Sequence, residues 1–499
     1  MNLLQSSLQS LALQSPQHIV LESEHGSLTA AQLHTEVEQL SKDLKASAAS
    51  CVGLFAGNSV AWVLLDLASQ IAGICLVPIP TFFSDQQVLH ALNSAAVDTV
   101  FCDGPGAARL EALLGTQGVP VEGLDSMSRV SLKPLVVAQI PEGTNKITFT
   151  SGSTGEPKGV CLSLEQCLNV AQSLAGAVGE DKPRHLCVLP LSTLLENIGG
   201  LYRPILQGGT ALVYSAETMG MAGSSGIEAD LFLAAITRLQ PHTMILVPQI
   251  LALLDVAMTQ GWVPPVSLKF VAVGGGRVAP EIVSRVRAAG LPVYEGYGLS
   301  ESASVVSLNS PDADRSATSG RVLPHVKLKE RNGELVVSGN TFLGYLNQPD
   351  TWGKDEVATG DLGHIDADGF VTISGRKKNL LVSSFGRNIS PEWVESELLA
   401  SGLLQQAVVI GDDRPHCAAL VWSGAPNFSH KLMQQEITRV NSRLPDYARI
   451  LAVTVMPQPL SVGAGMLTDN GRVRRDCIAN HYRIEIDNLY RQQQEQTAP

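Results

Sequence analysis

The 499-residue chain is short of positive charge, of paired cysteines and of long unbroken apolar runs. Its 35 Lys and Arg are outnumbered by 47 Asp and Glu, for a formal net charge of −12. That balance argues against a dedicated nucleic-acid binder and against a polybasic membrane anchor, while leaving room for a local basic pocket around an anionic substrate. Eight cysteines lie scattered from Cys51 to Cys477 without a C-x-x-C pair. In a chain of this length that pattern speaks for buried thiols in a reducing, intracellular setting, and against a disulfide framework or a zinc site. Met1 to Pro16 has neither a basic start nor a continuous apolar core, so no signal peptide is expected there. The most apolar stretch, Ala61 to Pro80, is interrupted by Asp66 and Gln70 and ends in Val-Pro-Ile-Pro. It reads as a buried helix leading into a strand rather than an integral membrane segment, and the cytoplasm is the expected address.

What is present is a large apolar fraction, 44% hydrophobic against 16% charged, in a chain too long for one ordinary core. Two or more domains are expected. Amphipathic spacing predicts helices over Leu28–Leu44 and Ala61–Ala72. Apolar β-like runs fall at Val52–Ala56, Cys75–Ile79, Thr243–Val247 and Leu268–Val273. The alternation predicts an α/β domain, with largely parallel sheets covered by helices. From about Val322 the character changes to short strands broken by Asn332-Gly333 and Asp368-Gly369, a hairpin signal that predicts a small β-rich subdomain. A helix opened by Ser390-Pro391 begins a further α/β portion. The expected division is 1–377 for a large N-terminal domain and 378–499 for a smaller, mobile C-terminal α/β domain.

The strongest chemical signal is Thr148 to Val160, TFTSGSTGEPKGV. Gly152, Gly155 and Gly159 permit tight turns, while Thr150, Ser151, Ser153, Thr154 and Lys158 supply donors for phosphate oxygens. It follows an apolar β-like run, and it does not fit the G-x-x-x-x-G-K-[ST] frame of a Walker loop. A solvated Ser/Gly linker is the bland alternative, but a linker does not need Pro-Lys-Gly set directly before another strand-like run.

This segment resembles the phosphate loop of the adenylate-forming enzymes, which include acyl-CoA synthetases, luciferases and the adenylation domains of peptide synthetases. The likeness continues in order along nearly the whole chain. Tyr294 to Ser302 (YEGYGLSES) resembles the family's aromatic-Gly-x-Thr-Glu motif, which implies that Tyr297 stacks on adenine, Ser300 binds phosphate and Glu301 holds Mg²⁺. A flat ring suits a base, and a hard carboxylate oxygen suits a hard cation. The Gly274–Arg277 stretch, with Gly275 at its centre, resembles the glycines that back the nucleotide. Thr359-Gly-Asp361 and Gly375-Arg376 resemble the ribose-binding pair, Asp361 accepting from the ribose and Arg376 donating. Lys378 falls at the family's inter-domain hinge, and Gly386 matches the glycine of its pantetheine tunnel.

Two departures stand out. Leu189 to Glu196 (LPLSTLLE) is similar in style to the long-chain fatty acyl-CoA synthetases, but Thr193 occupies the place of a histidine that shapes the acyl pocket. The closing Asn-Gly-Lys stretch reads Leu467 to Arg475 (LTDNGRVRR), which puts Arg472 where a lysine bridges carboxylate and α-phosphate. Arginine keeps the charge but is planar and bulkier. Either Arg472 does the same work, or a partner supplies what is missing, or the alignment shifts locally towards Arg474 and Arg475.

The resemblance implies ATP-dependent activation of a carboxylic acid, a medium or long fatty acid being favoured and aryl acids remaining open. The acyl group passes from an adenylate to the thiol of CoA, or to the phosphopantetheine of an acyl carrier protein. ATP, Mg²⁺ and CoA are the expected cofactors, with Arg472, Glu301 and Lys158 as the catalytic set. A β-lactone-forming relative and a non-catalytic nucleotide binder are the other readings.

Overall fold

Helix boundaries follow from local capping. Ser59 accepts a hydrogen bond from the Trp62 amide and opens the helix Val60–Ala72, which Gly73 closes in the left-handed conformation at φ 74°. Leu28, expected in a helix, lies instead in the short strand Gly26–Thr29. Thr29 and Gln32 form a reciprocal capping box, so the helix begins at Ala30 and runs to Ala46. This computed structural model describes residues 2–124, 126–150, 157–222, 226–385, 387–425, 428–468 and 471–497. Ser151, Gly152, Ser153, Thr154 and Gly155 of the phosphate-loop motif, and Gly386, lie outside the described residues.

The apolar runs of the first half pair largely in parallel. In a nine-stranded sheet the strands Val293–Leu299, Phe270–Val273, Thr243–Leu246, Arg184–Leu186 and Thr210–Leu212 lie side by side in that order. An eight-stranded sheet has Lys146–Thr150, Cys75–Pro78, Cys51–Phe55 and Thr99–Cys102 as its parallel centre. Lys158–Leu162 folds back antiparallel to Lys146–Thr150, with Thr150 opposite Lys158. A third, four-stranded sheet is antiparallel. Its hairpin Val326–Arg331 to Glu334–Gly339 turns on Asn332 and Gly333, both at positive φ (54° and 78°), as the Asn-Gly signal predicts.

The C-terminal portion has a three-stranded sheet of Gln406–Ile410, Cys417–Trp422 and Ile450–Val455. Side-chain alternation commits its two faces to different helices. Val409, Ala419 and Val421 pack with Val394, Leu398 and Ile437. Val408, Ala418 and Leu420 pack with Ile478, Ile486 and Leu489. Among the described residues, polar contacts join this portion to the rest. Arg443 pairs with Glu281, Arg285 Nη2 donates to the Ala400 carbonyl at 3.3 Å, and Arg472 reaches the Gly275 carbonyl. Among the described residues no helix is long and apolar enough to cross a membrane.

The two large sheets share one apolar cluster. Leu54, Leu76 and Val160 come from one, Ala211 and Phe270 from the other, and Trp62, Leu65, Val170 and Tyr202 from helices packed with both. A buried charge sits in the same layer. Lys146 Nζ lies 2.8 Å from Asp66 Oδ1 and donates also to Tyr202 Oη at 2.9 Å and to Asn197 Oδ1. Tyr202 and Asn197 in turn donate to Asp66 Oδ2. All three ammonium hydrogens thus have acceptors. Breaking one side of a buried pair strands the other charge, at a cost of about 3–5 kcal/mol. Asp66→Ala should lower the stability read by urea denaturation by about that amount, and adding Lys146→Met should restore much of it.

Candidate active site

Strand ends deliver the site. The strand Val293–Leu299 brings Tyr297 to the end of the nine-stranded sheet, and Ser300 to Ser302 follow as a single 3₁₀ turn. Gly298 is required here, since a Cβ at that position would fall 1.6 Å from the Ser304 carbonyl oxygen. The β-rich subdomain supplies Asp361 and Arg376 as directly opposed residues on adjacent antiparallel strands. Tyr297 Oη donates to Asp361 Oδ2 at 2.8 Å, and Arg376 Nε donates to Asp361 Oδ1 at 2.7 Å. Burial and the neighbouring carboxylate raise the Tyr297 phenol well above its ordinary value, so it remains a donor. Residues separated by some sixty positions in the chain therefore form one clamp.

Glu301 is held by a residue that the sequence reading passed over. Tyr345 Oη donates to Glu301 Oε1 at 2.6 Å, and Lys158 Nζ sits 5.2 Å from the centroid of the Tyr345 ring. The only sequence signal for Tyr345 was its place just after the β-like Glu334–Ser338 region, too weak to single it out. Arg472 enters from the C-terminal portion, with Nε and Nη2 at 3.3 and 3.2 Å from the Gly275 carbonyl oxygen. Gly275 itself has φ 83°, a conformation suited to glycine. Burial and the charge of Arg376 lower the pKa of Arg472, and burial with the charges of Arg376 and Arg472 lowers that of Lys378. These three cations and Asp361 thus share one electrostatic neighbourhood.

All of these groups line one cavity of about 2390 Å³. Thr150, Lys158, Gly275, Tyr297, Ser300, Glu301, Asp361, Arg376, Lys378 and Arg472 are on its wall. The donor set fits a nucleoside triphosphate: an aromatic ring, a carboxylate for a ribose, and the cations Lys158, Arg376, Lys378 and Arg472 for phosphate charge. It also fits Mg²⁺, which binds through one or two carboxylates together with substrate phosphates, Glu301 being the carboxylate in place.

A further wall of the cavity is apolar, with Leu174, Val178, Leu195 and Ile245. Thr193, in the position of the family's histidine, has its hydroxyl committed to the Pro190 carbonyl at 2.7 Å and so closes a turn. Glu196 is fully buried, its Oε2 accepting from the Leu189 amide at 2.9 Å and its Oε1 lying 2.8 Å from His185 Nε2. Burial pushes its carboxyl up to about 8 despite the lowering effect of the Leu189 amide, Cys187 and Arg203. His185 and Arg203 were not foreseen, though a lone arginine in the apolar stretch from Leu194 to Leu212 was a signal to be had.

A two-part α/β chain that gathers aromatic, carboxylate and guanidinium groups at one such cavity is of the adenylate-forming kind. Residues 8–346 match the AMP-binding enzyme model and residues 378–494 match that of the AMP-binding enzyme C-terminal domain, so the chain belongs to the AMP-binding enzyme family. A 2-succinylbenzoate–CoA ligase of Staphylococcus aureus is 27% identical over 435 residues, 80% of this chain and 85% of the relative. An anthranilate CoA ligase solved with anthranoyl-AMP superposes with a TM-score of 0.81 at 19% identity, covering 96% of this chain and 98% of its own. The o-succinylbenzoate coenzyme A synthetase of Bacillus subtilis, solved with ATP and magnesium, gives 0.76 at 23% identity over 94% and 98%. These likenesses show a shared fold. The expected closeness to long-chain fatty acyl-CoA synthetases is not what they bring out.

Glu196 has a consequence for stability. Its carboxyl is protonated in the folded protein up to about pH 8 but ionises near 4.5 when unfolded, so the folded state binds more protons across that window. Stability present below pH 4.5 is therefore lost as pH rises towards 8. Glu196→Gln should flatten the fall in melting temperature between about pH 5 and pH 8, measured by calorimetry.

Proposed function

We propose that this chain joins a hydrophobic carboxylic acid, with aromatic acids as its foremost class, to the thiol of coenzyme A. The observation that carries the reading is the approach of Arg472, from the C-terminal portion, to the cavity wall formed by Gly275, Tyr297, Asp361 and Arg376. In the first step the substrate carboxylate attacks the α-phosphorus of ATP, and pyrophosphate leaves. In the second a thiol attacks the acyl carbonyl, AMP leaves, and the thiol proton goes to solvent. The chemistry of the first step is chiefly the neutralisation of charge on phosphate oxygens.

The protein's own groups have separable tasks. Tyr297 and Arg376 orient the Asp361 carboxylate by hydrogen bonds, leaving lone pairs to accept from a ribose. Arg472 and Lys158 stabilise negative charge that moves onto the leaving oxygens, and Tyr345 fixes the Glu301 carboxylate. Mg²⁺, when held by Glu301, would add charge neutralisation at the phosphates. For the second step, Lys378 is the hinge about which the C-terminal domain, from 378 onward, would withdraw Arg472 and bring Gly386 to the site.

The aromatic preference rests on what the relatives are named for, 2-succinylbenzoate and anthranilate, together with an apolar wall that suits a ring. The experiment is an acid panel of aryl and fatty acids scored by pyrophosphate release, with CoA or a holo carrier protein as acceptor. Aryl acids with CoA should give the highest kcat/KM. Highest turnover on fatty acids would overturn the substrate class, and turnover only with the carrier would overturn the acceptor. Pyrophosphate release without thiol consumption would point to the β-lactone reading.

Arg472 allows a sharper check. Arg472→Ala should reduce acyl-adenylate formation by about 100-fold or more, while CoA thioester formation from supplied acyl-adenylate changes less than about threefold. Glu301→Ala should abolish ATP–pyrophosphate exchange with the circular dichroism spectrum unchanged.

A further inference from the structure

The strands Lys146–Thr150 and Lys158–Leu162 are the stem from which the phosphate-loop motif projects. The last pair of their ladder is Thr150 with Lys158, and both residues line the cavity. Ladder hydrogen bonds hold the stem up to that pair. How the chain leaves and rejoins it depends on contacts from outside the sheet.

One side chain supplies such contacts to both strands. His90 lies on the helix Asp85–Ser94, whose Val88, Ala91 and Leu92 form one face at helical spacing. That face packs into the apolar cluster that also holds Ile147, Phe149 and Cys161 of the stem. His90 stands at its margin, half-buried, with Nε2 2.9 Å from the Pro157 carbonyl oxygen. A carbonyl only accepts, so Nε2 carries the proton and donates. The same ring meets Phe149 edge-on, with centroids 5.9 Å apart and planes at 81°. Phe149 is the last residue but one of the outgoing strand, and Pro157 directly precedes the returning one. Pro157 is buried and has no N–H, so its carbonyl is the one backbone group that can anchor it.

The helix that carries His90 is itself tied down. Ser84 and Gln87 close a capping box at its start, and Arg109 Nε donates to Asp85 Oδ1 at 2.8 Å. At its end the Ser94 carbonyl accepts from Asn347 Nδ2 at 2.9 Å, two residues beyond the Tyr345 that holds Glu301. An imidazole on so fixed a support is suited to setting the position of what it touches.

We propose that His90 is a positioning residue for the triphosphate, holding the returning end of the phosphate loop so that Lys158 stands ready at the cavity wall. The proposal rests on the acid-activating reading above and deepens it. His90 acts through Pro157 and Lys158 and meets no reacting atom. Its influence falls on the ATP side of the first step, and neither the acid nor the thiol depends on it.

Glutamine is the informative replacement, because its Nε2 can still donate to the Pro157 carbonyl, whereas leucine fills the space without a donor. ATP–pyrophosphate exchange on the full chain, with an aryl acid, should show the KM for ATP raised about fivefold to tenfold in His90→Leu. The KM for the acid, and CoA thioester formation from supplied acyl-adenylate, should stay within about twofold. His90→Gln should bring the KM for ATP back to within about twofold of the parent protein. An unchanged KM for ATP in His90→Leu overturns the proposal, as does a glutamine variant no better than leucine. Equal losses on ATP, acid and thioester formation also overturn it, since a merely structural side chain would behave that way. Should His90→Leu not fold, His90→Asn replaces it, its amide being too short to reach Pro157, and an equal KM for ATP in Asn and Gln variants overturns the proposal. No exchange by the parent protein with any acid would instead sink the underlying enzyme reading.

Discussion

The salt bridge between Lys146 and Asp66 is the constraint on which the rest of the molecule turns. It lies where the eight-stranded sheet, the helix Val60–Ala72 and the segment Asn197–Tyr202 meet, and each contributes one or two of its groups. Apolar contacts alone tolerate sliding, because one methyl is much like another. A fully buried ammonium with three fixed partners does not. Lys146 begins the strand that ends at Thr150, so the register of that strand sets where the phosphate-loop motif leaves the sheet. Asn197 and Tyr202 begin and end the π-helical turn that carries Gly199, and Arg203 follows it directly. One buried pair thereby ties the strand that leads to Thr150 to the apolar wall of the cavity around Gly199.

Much of this organisation was legible in the residues, and the reason is periodicity and turn chemistry. The parallel strands around Cys51, Cys75, Thr243 and Phe270 were marked by short apolar runs, and Asn332-Gly333 announced its hairpin. Boundaries moved where capping overrode spacing, as at Thr29. The candidate nucleotide-site residues were legible because their motifs are local. Tyr297, Glu301, Asp361 and Arg376 each stand in a recognisable short segment, and the fold brings those segments to one wall.

What the sequence concealed were groups whose meaning is purely tertiary. Tyr345 matters because its hydroxyl meets Glu301 across 44 positions, and nothing in its neighbours announces that. His185, Arg203 and Thr243 form a network only because two strands and a helix converge. Asp66 looked like an interruption in an apolar run and is the counter-charge of that run's most important neighbour. The fatty-acid expectation failed to find support for a related reason: Leu-rich spacing at 189–196 reports a buried wall and says little about what lies against it.

Arginine at 472 has a chemical consequence beyond its charge. An amine placed between Arg376 and Lys378 would lose part of its protonation through repulsion, and a free amine beside a mixed anhydride is a nucleophile. The guanidinium keeps its proton there and offers no such lone pair. In the proposed reaction the acyl-adenylate would thus face a group that is a poor nucleophile, where an amine would be open to acylation.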